Sequence, residues 1–331
     1  MRMLQIAALG VFLICCCACN SSSKTETAQN QEPIDTLPVV EFDGDSAYVN
    51  VKRVVDFGPR VTGTPSHAAC GKYIVARLEA LGADTVIIQK GVVSAYNGDR
   101  LPYKNILARY NADAPKRVLL LTHWDTRPWA DEETEPADRS KPVLGANDGG
   151  SGVGILLEVA RHLQRHEPRV GVDLLFVDAE DYGQSDGWGA NEDTWCLGTQ
   201  EWIKTNPYKD SVVPAYGILL DMVGARDAMF YREFTSQQLA KSIVDKVWSR
   251  ALSSGYGDRF VNEVGAAVTD DHTFVNRAGI PCVDIIECMN PATKSFHPSW
   301  HTLSDDMDII DSATLKAVGQ VVLNVIYNEP A

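Results

Sequence analysis

After its first twenty residues the chain has no apolar run long enough to cross a bilayer, no block of Lys or Arg, no internal repeat and no Cys-x-x-Cys pair. The lack of basic blocks, with a formal net charge of -14, excludes nucleic acid as a partner, because phosphate binding needs a concentrated basic surface. An acidic body weakly attracts cationic peptide ends instead. The missing Cys-x-x-Cys removes the usual thiolate zinc modules. Four cysteines remain in the body, Cys70, Cys196, Cys282 and Cys288, too scattered to give a disulfide framework. Two disulfides and buried free thiols both stay open for them.

The amino-terminal stretch reads as an export signal. A short basic start, Met1-Arg2-Met3, precedes an apolar run over residues 4–14 that is too short to span a membrane, and small residues follow. Leu13-Ile14-Cys15-Cys16-Cys17-Ala18-Cys19 matches a bacterial lipoprotein processing site, apart from Cys16 where Leu is usual, with Cys19 as the acylated residue. The expectation is a signal peptide over residues 1–18, a polar tether over 19–40 and a catalytic domain over 41–331. The protein would then be an exported, membrane-anchored lipoprotein facing the periplasm or the cell surface, touching the membrane only through Cys19.

At 331 residues, with ordinary apolar content, one large α/β domain is expected. Apolar spacing predicts helices over residues 46–57, with Ser46 as N-cap, and 65–81. Strands are predicted over 84–89 and 105–110, with Asn97-Gly98-Asp99 as a turn between paired strands. The runs Val118-Leu119-Leu120-Leu121 and Val172-Asp173-Leu174-Leu175-Phe176-Val177 read as strands buried on both faces. Between them lie a polar surface loop over 129–144 and a helix from 153 to 165. Strand, helix, strand at this spacing is a βαβ unit, whose right-handed crossover brings both strand ends to one edge of the sheet. A third buried strand covers 218–220. Further on come helices over 236–253 and 271–278, a strand over 281–286, irregular chain over 291–301 and a closing helix over 312–327. The fold class is α/β, a single domain whose mixed, mostly parallel sheet is flanked by helices.

The chemistry gathers at the strand ends. Gly145-Ala146-Asn147-Asp148-Gly149-Gly150-Ser151-Gly152 carries a lone carboxylate, Asp148, which is either a metal ligand or the cap of the following helix. His123 and Asp125 follow one strand, Glu180 and Asp181 the next, Asp221 the third, and His301 sits near the carboxyl terminus. Adjacent acids at a strand end are usually a solvated loop start, but one crossover away from Asp148 they suit a zinc site. His123 is either a ligand or a core histidine bonded to Asp125 or to a backbone carbonyl. At least one of Asp270 and Asp271 is expected to cap the helix after it. Trp124, Trp188, Trp195 and Trp300 all lie close in sequence to these residues and suggest apolar walls around a small side chain.

The His-x-Asp pair, the Ala-Asn-Asp-Gly-Gly-Ser-Gly loop, the acidic pair, Asp221 and His301 together resemble the zinc aminopeptidase superfamily, over roughly residues 46–328. Thr269-Asp270-Asp271-His272, Trp300-His301-Thr302 and the acids Asp305 and Asp306 resemble its animal-type glutaminyl cyclase branch, and within it the bacterial lipoprotein members. The resemblance implies one zinc held by Asp148, Asp181 and His301, with Glu180 as general base and Asp221 and Asp270 as supporting acids. An aromatic of the loop after the acidic pair, Trp188 or Trp195 with Trp195 preferred, would line the glutamine pocket together with Trp300. The substrates implied are peptides or proteins with an amino-terminal Gln, and the relatives are often monomers. The alternative is a two-zinc aminopeptidase, its second ion on His123 and Asp221 with Asp148 bridging; Asp rather than Glu at position 181 counts towards the cyclase.

Overall fold

The computed structural model of the chain describes residues 40–185, 191–205, 208 and 211–331. The leader, Cys19, residues 20–39 of the tether and Trp188 lie outside the described residues. In chain order come helices α1 (Gly44–Val55) and α2 (Pro65–Ala80), strands β1 (Thr85–Ser94), β2 (Arg100–Tyr110) and β3 (Arg117–His123), helix α3 (Ser151–Arg165) and strand β4 (Gly171–Val177). After these follow α4 (Leu197–Lys204), β5 (Tyr216–Leu220), β6 (Phe230–Arg232), α5 (Phe234–Leu239), α6 (Lys241–Ser253), β7 (Phe260–Val264), α7 (Asp271–Arg277), β8 (Cys282–Ile285) and α8 (Ser312–Tyr327).

Six strands form one sheet in the order β1-β2-β4-β3-β5-β8, and β6 and β7 form a separate parallel pair. β4, β3, β5 and β8 run parallel, while β2 is antiparallel to both β1 and β4. Every residue of β3, β4, β5 and β8 is buried, which is why these strands read as unbroken apolar runs. Their side chains alternate. Val118, Leu120, Val172 and Leu174 join the larger core under α1, α3 and α8. Leu119, Leu121, Leu175 and Val177 face the smaller core with Trp202 of α4 and Val275 of α7. The chain leaves β3 for β4 on one side and returns to β5 on the other, so the strand order reverses beside β3, and a crevice opens at the carboxyl ends there.

α3 packs closely on α1 through Gly154. A Cβ at this position would overlap Val51 Cγ2 and sit 2.9 Å from the Ala47 carbonyl, neither of which yields easily. Gly154→Ala is therefore expected to destabilise the protein by about 2 kcal/mol despite alanine's better helix propensity, measurable as a lowered denaturant midpoint.

Several expectations shift. α1 starts at Gly44, because the Asp43 carboxylate rather than Ser46 is the N-cap and accepts from Ser46 N at 2.9 Å. The hairpin is longer than its two expected strands, since Val93, Leu101 and Tyr103 bury a small satellite core beyond them. The single helix expected over 236–253 is two, broken at Ala240 (φ -134°, ψ 34°). The break lets Ser236 Oγ accept from Asp284 N of β8 at 3.0 Å while Val244 and Val247 still enter the core. α4, β6 and β7 have no counterpart in the sequence reading, being too short for a clear period. Cys70, Cys196, Cys282 and Cys288 are all buried free thiols, which removes the disulfide alternative.

Candidate active site

His123 is the last residue of β3, Glu180 and Asp181 follow β4, and Asp221 follows β5, so the sheet delivers them to one edge. Loops bring Asp148 before α3, His301 before α8 and Asp270 at the start of α7. Asp148 does not cap α3: the N-cap is Gly150, with no side-chain bond. Its carboxylate lies 3.1 Å from His123 Nε2 and 3.8 Å from His301 Nε2. Its loop is clamped by Asp305, which accepts from Asn147 N at 2.7 Å and Asp148 N at 3.0 Å. Gly149 (φ +79°) leaves room there for the Asp125 carbonyl.

The His-x-Asp pair divides its work. His123 Nε2 faces Asp221 at 3.0 Å as well as Asp148, while its Nδ1 stays 3.8 Å from Asp125 and has no hydrogen-bond partner, so the expected bond to Asp125 is not made. The Asp125 carboxylate instead accepts from the backbone of Glu180 and of Asp181, each at 3.2 Å. Asp178, bonded to His67 Nε2 at 2.8 Å and to Lys104 N at 2.6 Å, fixes the same segment from behind. Ala179 (φ +53°), Met222 (φ +47°), Cys196 (φ +56°) and His301 (φ +54°) are all left-handed, so strained backbone collects around this edge.

Asp148, Asp181 and His301 form one buried triad whose ligand atoms lie within 4.8 Å of one another, and His123, Asp148 and Asp221 form a second that shares Asp148. His301 Nε2 lies 3.2 Å from Asp181 Oδ1, yet that oxygen has no hydrogen-bond partner despite its burial. An unpartnered buried carboxylate oxygen beside an imidazole nitrogen, with the Asp148 carboxylate within 4.8 Å of both, forms an N/O donor set that zinc accepts. Asp131, 3.2 Å from His301 Nδ1, orients the imidazole from its other nitrogen.

Burial pushes the Glu180 carboxyl well above its usual range; His123 opposes this, and Asp270 and Asp181 add to it. Burial, then the Asp221 charge, holds Asp270 up at about 7, and burial holds Asp221 at about 6 against the pull of His123. For His301, burial works downward but the Asp181 and Asp131 carboxylates win, raising it to about 9. Acids this close raise one another, which a bound cation would relieve.

Asp270 does cap α7, its Oδ1 accepting from Asp271 N at 2.5 Å, and Oδ2 is left without a partner. The site opens into a cleft of about 310 Å³ walled by Trp195, Trp300, Phe296, Ile286 and Met222. Trp300 stacks on His301 at 3.8 Å between centroids. Trp124 is no wall: it is fully buried and stacks on His67 at 4.2 Å. The stretch 129–144 is not purely surface either, since Ala130 and Val143 are buried and Asp131 enters the site. Arg127, unremarked in the sequence, bonds Asp131 at 2.7 Å and the Gly183 carbonyl at 2.9 Å and lies over Trp195 at 4.8 Å. Its four-residue spacing from Asp131 was the available signal.

Three comparisons bear on this arrangement. The profile of "Peptidase family M28" matches residues 105–326. A crystal structure of a Bacteroides thetaiotaomicron glutaminyl cyclase bound to N-acetylhistamine is 49% identical, covering 88% of this chain and 100% of that one, with a TM-score of 0.85. A structure described as a leucine aminopeptidase precursor from Bacteroides thetaiotaomicron is 48% identical, covering 89% and 100%, with a TM-score of 0.85. Among curated proteins, the glutaminyl-peptide cyclotransferase of Drosophila melanogaster is 24% identical over 307 residues, 86% of this chain and 81% of its own.

Proposed function

The chain belongs to peptidase family M28, and from that premise we propose that it is a zinc-dependent glutaminyl-peptide cyclotransferase, converting amino-terminal Gln of peptides and proteins to pyroglutamate with release of ammonia. The observation that carries this reading is the placement of Glu180 beside the Asp148–Asp181–His301 triad, at the base of a small cleft walled by Trp195 and Trp300. Zinc on that triad supplies Lewis acidity at the γ-carbonyl of the substrate Gln.

The remaining work falls to the protein's own side chains. The cleft folds the Gln side chain back so that its α-amine faces the carbonyl carbon of its γ-carboxamide; the bond from the amine to that carbon forms, and the bond from that carbon to the amide nitrogen breaks. Glu180 accepts the proton from the amine and returns it to the departing nitrogen, which leaves as ammonia. Asp270 raises Glu180 and is itself raised by Asp221, so that the two supporting acids share protons around the leaving group. Trp195 and Trp300 exclude water, which has no part in a cyclisation and would favour hydrolysis.

The second triad favours another reading, an aminopeptidase with two ions sharing Asp148, in which Glu180 activates water. Mass spectrometry of a Gln-initiated and a Leu-initiated peptide, each with and without a zinc chelator, separates the two. The expected result is a chelator-sensitive loss of ammonia from the Gln peptide with the Leu peptide intact. Release of the first residue from either peptide would replace this proposal with the aminopeptidase. The leader motif supports export and anchoring through Cys19, which palmitate labelling of the full chain and of Cys19→Ser tests.

A further inference from the structure

Cys196 is fully buried, has a left-handed backbone (φ +56°) and lies against the proposed base. Two backbone bonds hold it there, Cys196 N to the Glu180 carbonyl at 3.0 Å and Leu197 N to the Ala179 carbonyl at 2.9 Å. They lock the 179–180 and 196–197 turns together and aim the thiol across at the Glu180 side chain, with Sγ 3.5 Å from Oε1. A non-glycine residue is held in this conformation at some cost, here for a thiol that the cyclisation does not use.

A second observation points into the same space. Asp270 is buried, its Oδ1 is committed to the α7 N-terminus, and its Oδ2 has no partner. Ligand atoms of Glu180, Cys196 and Asp270 all lie within 4.8 Å of one another. A tetrahedral ion with sulfur at about 2.3 Å and oxygen at about 2.0 Å places those two ligand atoms about 3.5 Å apart, the spacing between Cys196 Sγ and Glu180 Oε1. This set shares no residue with the triad of Asp148, Asp181 and His301. Its sulfur also gives it a different appetite: soft cations prefer thiolate, whereas the triad offers only nitrogen and oxygen.

We infer that Glu180, Cys196 and Asp270 form a second, inhibitory site for a thiophilic divalent cation, cadmium or zinc in excess, next to the site for the resident zinc. Coordination replaces the Cys196 S–H bond by a metal–sulfur bond and releases the proton to solvent, with no change of oxidation state. The ion also occupies the lone pairs of Glu180, so turnover stops while the resident zinc stays in place. This last consequence rests on the cyclase reading; the binding itself does not.

The test titrates the zinc-loaded enzyme with cadmium chloride and follows bound metal, the ultraviolet thiolate-to-cadmium band and turnover of a Gln-initiated peptide. The wild type is expected to bind one added cadmium per chain, keep its zinc, show the band and lose at least about tenfold in rate, the order of effect of blocking a general base. Cys196→Ala should keep its zinc and basal rate, show no band and lose less than about twofold at the same cadmium concentration, because removing the soft ligand removes most of the affinity. Cys196→Ser, which keeps the side-chain volume, should behave as the alanine variant does and guards against a packing defect. A band or inhibition that persists in both variants, or a wild type that only exchanges its zinc, overturns the inference. If the protein has no cyclase activity, cadmium binding and the band still decide this site separately.

Discussion

Glu180→Gln is expected to lower kcat on a Gln-initiated peptide by about 10³-fold, within the usual range for losing a general base. Gln keeps the shape and one oxygen of the side chain but accepts no proton at working pH, so the amine has nowhere to send its proton. Substrate binding uses the cleft walls and the metal, so KM should stay within about threefold of the wild-type value, the pattern of an interaction made in the transition state alone. Zinc content should be unchanged, because Glu180 is outside the triad of Asp148, Asp181 and His301. Steady-state kinetics beside metal analysis checks all three points, and a variant retaining a tenth of the wild-type rate would remove Glu180 from the role of base.

The same residue sets a pH signature. Glu180 works only when unprotonated, so kcat/KM rises with pH through its pKa. Burial raises that pKa and the Asp270 and Asp181 charges raise it further, against His123; bound zinc pulls it back. The acid limb should therefore lie above the ordinary glutamate range. Asp270→Asn removes one of the raising charges, so the limb should move towards lower pH, by about one unit, even though the rate on the plateau also falls. A limb that stays in place in Asp270→Asn would mean that the two carboxyls do not feel each other.

The sheet centre was legible because β3 and β4 are buried on both faces, and burial of that kind leaves no polar residue to interrupt the apolar run except Asp173. From those two strands and one crossover, the positions of His123, Asp148, Glu180 and Asp181 follow almost mechanically. His301 was harder, since it reaches the site from irregular chain with no period to place it. Only the neighbouring Trp300 and the resemblance marked it. The roles of the supporting groups were hidden for another reason. Asp125 and Asp305 act on backbone N–H groups, and a backbone partner leaves no trace in sequence. Asp131 lies in a stretch whose polarity suggested solvent, and Arg127 just before it; their polarity is spent inside, on His301 and on the turn after Asp181. Cys196 owes its role to a left-handed dihedral that no composition signals. The split at Ala240 was equally invisible, because Ser236 and Val244 satisfy a helical pattern whether or not the axis bends.

Asp148→Ala should leave no zinc after dialysis and reduce turnover by at least about 10³-fold, the worth of several kcal/mol of Lewis-acid stabilisation. Its severity follows from position: Asp148 belongs to both triads, so either count of metals loses a ligand. His123→Ala is the informative partner. If one zinc sits on Asp148, Asp181 and His301, this variant keeps a full equivalent, because His123 touches the triad only through Asp148. It should also keep most of its rate, apart from whatever Asp221 loses when its 3.0 Å imidazole partner is gone. If two ions are resident, His123→Ala loses one of two, and the wild type contains two to begin with. Metal analysis of the three proteins, dialysed side by side against buffer of fixed free zinc, therefore fixes the stoichiometry without any activity measurement. A wild type with one zinc, an Asp148→Ala with none and a His123→Ala with one is the expected pattern. Two zincs in the wild type and one in His123→Ala would give the shared carboxylate its bridging role and the water-activating chemistry that goes with it.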